Sequence, residues 1–150
     1  MDGPPAGQGV EVDFDLERFV RAQDDGGTYE AALAELRAGR KHSHWMWFVF
    51  PQAAGLGSSP MARHFALSGL DEARAYLAHP VLGPRLVEAA RALTALPGHD
   101  PVAVLGPVDA LKLRSSMTLF AHATAGEPVF TEVLAQYYGG AEDPATLTRI

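Results

Sequence analysis

The chain has 150 residues, 47% of them apolar and 20% charged, with a formal net charge of −6. Those proportions belong to one soluble globular domain, and the negative balance argues against nonspecific nucleic-acid binding. The absence of cysteine excludes disulfides, thiolate metal sites and cysteine nucleophiles, and no apolar run approaches the ~20 residues of a membrane span.

Residues 1 to 12 are rich in Gly and Pro and read as a disordered tail. The N-terminal stretch MDGPPAGQGVEVDFD has no apolar centre, so no signal peptide is read there and a cytoplasmic location is expected. From residue 13 to 150 the pattern is that of a single all-helical domain. Asp13 or Asp15 can cap a first helix carrying Leu16, Phe19 and Val20, broken by Asp24-Asp25-Gly26-Gly27. Thr28 can cap the next, where Tyr29, Ala32, Leu33 and Leu36 recur at helical spacing, and Gly39 is a good stop. Residues 45–50 are apolar on every side, and periodicity does not decide between a buried strand and a helix turn. AAGLGSS, 53–59, is a loop, and Pro60 suits a first helical turn.

Asp71-Glu72 opens a helix that ends near Ala78, because the residue before Pro80 avoids the helical region. Pro84, Pro101, Asp109, Glu127-Pro128 and Asp143-Pro144 mark further helix starts, and Pro97-Gly98 and Gly139-Gly140 mark stops. No convincing strand pattern, internal repeat or heptad run is present. The expectation is an all-α fold, an irregular single-domain bundle of about seven helices.

Ten Arg stand against two Lys, with no Asn and a single Ile, a bias that a GC-rich genome would produce. Lys41 and Lys112 therefore raise a question: does each site need a compact ammonium rather than the guanidinium fork? Both lie in windows without Asp or Glu. Leu36–Leu70 holds Arg37, Arg40, Lys41 and Arg63, and Ala110–Gly126 holds Lys112 and Arg114. Brought together, these windows would form a local anion site in an acidic protein. Equally, a segment rich in core and loop can simply lack charge.

In DALKLRSSMTLF, 109–120, Asp109, Lys112 and Ser116 lie along one helical stripe with Ser115 adjacent. Lys112 and the hydroxyls could donate to a phosphate or carboxylate. Alternatively, Asp109 and Lys112 form a surface pair and the serines bond back to their helix. In GRKHSHWMWFVFPQ, 39–52, Lys41 and His44 could share a face, with His44 the candidate acid or base near neutral pH. His42 and His44 would point the same way only on a strand. Trp45 or Trp47 could stack a nucleobase, with Gln23 and Gln52 as polar readers, although both Trp also suit a core. The remaining His show no metal-ligand spacing, so no metal and no cofactor are expected. Gly55-Leu56-Gly57-Ser58-Ser59 before Pro60 has the outline of a phosphate cradle but lacks the Lys-Ser/Thr ending of the nucleotide motif.

RFVRAQ (18–23), GRKHSHWMWFVFPQAAGLGSS (39–59), EARAYLAHPVLGPRL (72–86) and DALKLRSSMTLF (109–120) resemble the bacterial domain-of-unknown-function 1810 family, DUF1810. The resemblance spans about residues 14 to 150. It implies a small all-helical single-domain protein and brings no established activity with it. Members are sometimes labelled calpastatin, yet nothing in this sequence supports a protease inhibitor. More distantly, the helical pattern with buried aromatics, Lys and polar donors resembles the NADAR proteins of ADP-ribose and NAD chemistry. No residue-by-residue match accompanies that similarity.

Two functional expectations follow. In the first, a phosphorylated nucleotide-like ligand is bound or hydrolysed. Lys41, Lys112, Ser115 and Ser116 hold its anion, Trp45 or Trp47 its ring, and His44, Lys41 and Ser116 are the catalytic candidates. An enzyme of this kind would be a hydrolase of an N-glycosidic or ADP-ribosyl bond. In the second, the chain is a noncatalytic interaction module. Neither involves nucleic acid or a membrane, and oligomeric state stays open.

Overall fold

In the computed structural model, which describes residues 14–150, the chain is all-α, and the single-domain helical expectation holds. The expected tail, residues 1–12, lies outside the described residues. The helices are α1 (Glu17–Asp24), α2 (Thr28–Ala38), α3 (Met46–Val49), α4 (Pro60–His64) and α5 (Leu70–Ala78). They continue as α6 (Leu82–Thr94), α7 (Pro101–Leu105), α8 (Pro107–Ala123), α9 (Val129–Tyr138) and α10 (Pro144–Leu147). A 3₁₀ turn, Asp25–Gly27, joins α1 to α2. Several of these are single turns, which is why the sequence pattern shows fewer. Among the described residues the β-type pairing is a lone bridge, Ala53 with Leu67.

Local chemistry explains most of the boundaries. Ser59, Asp100 and Asp143 each accept a backbone N–H in the first turn of α4, α7 and α10, and a proline follows each cap. Gly39 ends α2 in the left-handed region, φ 80°, which glycine adopts without a Cβ penalty. The first helix departs from expectation: Leu16 precedes it without a side-chain cap. Asp15 sits one residue further out and pairs with Arg21 at 3.6 Å.

α8 is the central element and packs against α5, α7, α9 and α10. Its segment Ser115–Phe120 is buried on all sides, as expected of an interior helix. α6 packs on α2, α5 and α9, and α1 on α2 and α3. A continuous chain of ring contacts, 5.1–5.7 Å between centroids, runs from Phe48 through Phe65, Phe19, Tyr76 and Phe120 to Phe130. Residues 46–49 are a helix turn rather than a strand, closed by Val49 N–H to Trp45 O and Phe50 N–H to Met46 O, with Met46, Phe48 and Val49 buried. Buried polar groups are tied across elements: Glu72 of α5 pairs with Arg18 of α1 at 3.0 Å and accepts Ser68 N–H at 2.8 Å. Among the described residues no helix is long and apolar enough to cross a membrane.

Candidate functional site

The stretch between α2 and α3 is organised by one carboxylate. Glu35, in the last turns of α2, faces the loop that follows Gly39. Its Oε1 accepts from His42 N (2.7 Å), Ser43 N (3.0 Å) and Trp45 Nε1 (2.9 Å), and its Oε2 from Ser43 Oγ (2.6 Å). Burial alone would raise the Glu35 pKa. The hydrogen bonds from Ser43, His42 and Trp45 outweigh it and hold the group at about 2. A second tie, Lys41 N–H to Val104 O at 2.8 Å, fastens the loop to α7.

This anchoring sends the Lys41 side chain onto α8. Its ammonium lies 3.0 Å from Asp109 Oδ2, and Lys112, one turn along the helix, lies 3.6 Å from Asp109 Oδ1. Each ammonium also sits over an indole: Lys41 over Trp45 at 5.2 Å, Lys112 over Trp47 at 4.9 Å. The two acid-free windows thus meet, and a carboxylate from just outside the second stands between their lysines. The cluster is largely sheltered, with side-chain exposures of 10% for Lys41, 17% for Asp109 and 23% for Lys112. The cluster itself holds two cations to one anion, with the Glu35 carboxylate on the N–H of Trp45, the indole under Lys41.

Trp47, Gln52 and Lys112 share a small void with Met46, Phe50 and Phe65, about 10 Å³, room for roughly one water. A nucleobase does not fit inside it. Any larger ligand would meet the lysines from the solvent side. Trp45 is fully buried, with its N–H on Glu35 and its face under Lys41, whereas Trp47 is only partly buried. Gln52 borders the void, and its backbone carbonyl accepts Leu67 N–H at 3.0 Å.

The other sequence candidates stand apart from the pair. His44 is exposed, on a bend rather than a strand, so the two-residue spacing with His42 aligns nothing. Ser115 donates to Leu111 O (3.2 Å) and Asp143 Oδ2 (2.9 Å), bonding back to its helix and to the cap of α10. Asp143 is held below the usual carboxylate range: burial opposes this, and hydrogen bonds from Thr146 and Ser115 prevail. Ser116 is fully buried, and among the described residues its hydroxyl has no hydrogen-bond partner. Gln23 is a core amide: its Nε2 donates to Phe48 O (2.7 Å) and Tyr76 OH (3.2 Å), and its Oε1 accepts from Arg85 (3.2 Å).

The glycine loop is packed for structural reasons. A Cβ at Gly55 would lie 2.5 Å from Arg149 Nη1, and one at Gly57 2.7 Å from the Ala62 Cβ. Ser59 already occupies the N–H of Ala62 at the start of α4. Among the described residues no group of three or more His, Asp or Glu is placed to hold a metal ion. Glu35 is the organising residue that sequence reasoning missed. The available signal was its position directly before the acid-free window.

Fold and site together define a small all-α protein with a lysine pair sharing one carboxylate beside two indoles. Residues 13–150 match the family described as "Protein of unknown function (DUF1810)", and the chain belongs to that family. It is similar to the crystal structure of the conserved hypothetical protein Rv1873 from Mycobacterium tuberculosis, at 53% identity and a TM-score of 0.86. That alignment covers 90% of this chain and 95% of the other. No curated protein matches the chain.

Proposed function

We propose that this protein binds a small phosphorylated, nucleotide-like ligand at the Lys41–Asp109–Lys112 cluster. The observation that carries this is the meeting of the chain's two lysines, from segments far apart in sequence, on one carboxylate. Each ammonium is a triple donor, and Asp109 engages one donor of each, leaving the others for a phosphate. The partial shelter of the cluster reduces screening of that attraction. Partly buried Trp47 offers an indole edge beside the phosphate for a ring.

Binding is better supported than hydrolysis. His44 makes no hydrogen bond to the cluster, and Ser116 is closed off from solvent. The interaction-module reading draws on Val108 and Leu111, 64% and 67% exposed on α8. Val108 and Leu111 share a helix face, but two exposed apolar side chains are common on soluble proteins, so they carry less than the lysine pair does.

A thermal-shift screen of ADP-ribose, NAD and inorganic phosphate tests the proposal, using the parent, Lys41→Met, Lys112→Met and Asp109→Asn. A phosphorylated compound should raise the Tm of the parent and of neither Lys variant. Asp109→Asn removes the competing carboxylate and should bind inorganic phosphate more tightly than the parent. Equal shifts in the parent and the Lys variants, or no shift with any compound, would overturn the proposal.

A further inference from the structure

α6 has two apolar faces, and among the described residues only one is covered. Leu82, Leu86, Ala89, Ala90 and Leu93 lie in the core. On the other side, Pro84, Val87, Glu88, Arg91 and Ala95 follow helical i+3 and i+4 steps and line a groove of about 800 Å³. Leu77, from the end of α5, also lines it. A Cβ on Gly83 would lie 2.1 Å from Leu77 O, so α5 and α6 meet there as closely as backbones allow.

An outward helix stripe ordinarily carries its charges along the middle. Here both charged side chains lean off it, in opposite directions. Glu88 turns toward α2, where its Oε1 accepts from the Tyr29 hydroxyl at 2.6 Å and its Oε2 lies 3.8 Å from Arg37. Arg91 turns toward the start of α9 and reaches the Glu127 oxygens at 3.1 and 3.2 Å. The floor left between them is apolar: Leu77, Pro84, Val87, Ala92 and Ala95.

The rim charges are not equivalent. Each carboxylate has a structural donor besides its arginine: the Tyr29 hydroxyl for Glu88, and the Val129 N–H, at 3.0 Å, for Glu127. Each guanidinium is a fork of several N–H donors with one carboxylate beside it. Arg37 and Arg91 are 63% and 57% exposed. The rim charges balance as two Arg–Glu pairs, but the guanidiniums are the more exposed partners, against 48% for Glu88 and 23% for Glu127, so the unused capacity facing solvent is mainly N–H donors; the volume falls within the range of small-molecule sites.

We propose that this groove binds an organic anion with an apolar body: a hydrocarbon or aromatic moiety bearing one carboxylate or sulfonate. The body lies along the α6 floor, and the head takes N–H donors from Arg37 or Arg91. The site is separate from the lysine cluster and stands independently of the function proposed there.

The probe is anilinonaphthalene sulfonate, titrated by fluorescence and displaced by decanoate or by decylammonium. The proteins are the parent, Ala95→Trp, the double variant Arg37→Gln/Arg91→Gln, and Lys112→Met, each with its folding checked by circular dichroism and thermal melting. The parent should bind the probe, and decanoate should displace it at least about tenfold more effectively than decylammonium. Ala95→Trp, which fills the groove from an exposed position, should abolish binding. The arginine double variant should lose the preference for decanoate, and Lys112→Met should bind like the parent. Absence of probe binding, equal displacement by the cation, or parent-like binding in folded Ala95→Trp would each overturn the proposal.

Discussion

Replacing Glu35 by Gln removes the charge around which residues 42–45 are arranged. The carboxylate accepts from two backbone N–H groups, a hydroxyl and an indole N–H, at 2.6–3.0 Å. A Gln keeps one acceptor oxygen and turns an amide NH₂ toward donors, so at least one donor loses its partner. Hydrogen bonds to a charged acceptor contribute roughly 1.5–3 kcal/mol each, and an unsatisfied donor costs a similar amount. Linkage expresses the same bonds as a pKa shift. The pKa falls from 4.5 to about 2, worth roughly 3 kcal/mol before discounting for partial exposure. A loss of about 2 kcal/mol at pH 7 is expected.

The pH dependence gives the sharper check. A carboxylate whose pKa is lowered on folding contributes stability that is fully present above its unfolded value of 4.5 and is lost as pH falls toward 2. The difference between parent and Glu35→Gln should therefore be constant from pH 7 to pH 5 and shrink by more than half by about pH 3. Urea denaturation followed by tryptophan fluorescence measures it at each pH. A difference below about 0.5 kcal/mol at pH 7, within the range of ordinary surface substitutions, would refute the account. So would a difference that stays constant down to pH 3.

Two further substitutions probe packing. Ser116→Ala removes a buried hydroxyl without a partner and should stabilise the fold by about 1 kcal/mol in urea denaturation; a loss of that size would show that the hydroxyl is hydrogen-bonded in solution. Gly83→Ala would gain about 1 kcal/mol in an unobstructed helix. Here the new Cβ would meet Leu77 O at 2.1 Å, so a net loss of roughly 1–3 kcal/mol is expected by the same assay, and a neutral result would refute the close-approach argument.

The helical framework was legible because much of its punctuation is local. Ser59-Pro60, Asp100-Pro101 and Asp143-Pro144 act on the first turn alone, and each does so here. Errors arose where proline permits more than one register. α6 begins at Leu82, two residues before Pro84, and α8 begins at Pro107 rather than Asp109. First-turn N–H groups need no helical partner, so a proline marks a first turn without fixing its first residue. Residues 45–50 carry no period, and the backbone bonds Val49 N–H to Trp45 O and Phe50 N–H to Met46 O, both 3.1 Å, make them a helix turn. In the sequence Gln23 is a candidate polar reader of a stacked ring. Its partners lie 25, 53 and 62 residues away, beyond any local pattern.

The site was legible through charge, and incompletely so. Counting acids within windows singles out the two lysine segments, whose side chains meet at Asp109. The same count passed over Glu35 and Asp109, which stand one residue outside them. Sheltered cations require a counter-charge, and a segment without acid must take it from its border or from another element. Asp109, at the border of the second window, supplies it to both lysines, while Glu35, at the border of the first, takes neutral N–H and O–H donors. The arrangement also accounts for lysine in a chain of ten arginines. Asp109 gives Oδ2 to Lys41 and Oδ1 to Lys112, one oxygen per cation. A guanidinium fork tends to engage both oxygens of a carboxylate at once, so a second cation would have to share an oxygen already in use. Two compact ammoniums can divide a single carboxylate and still keep donors free.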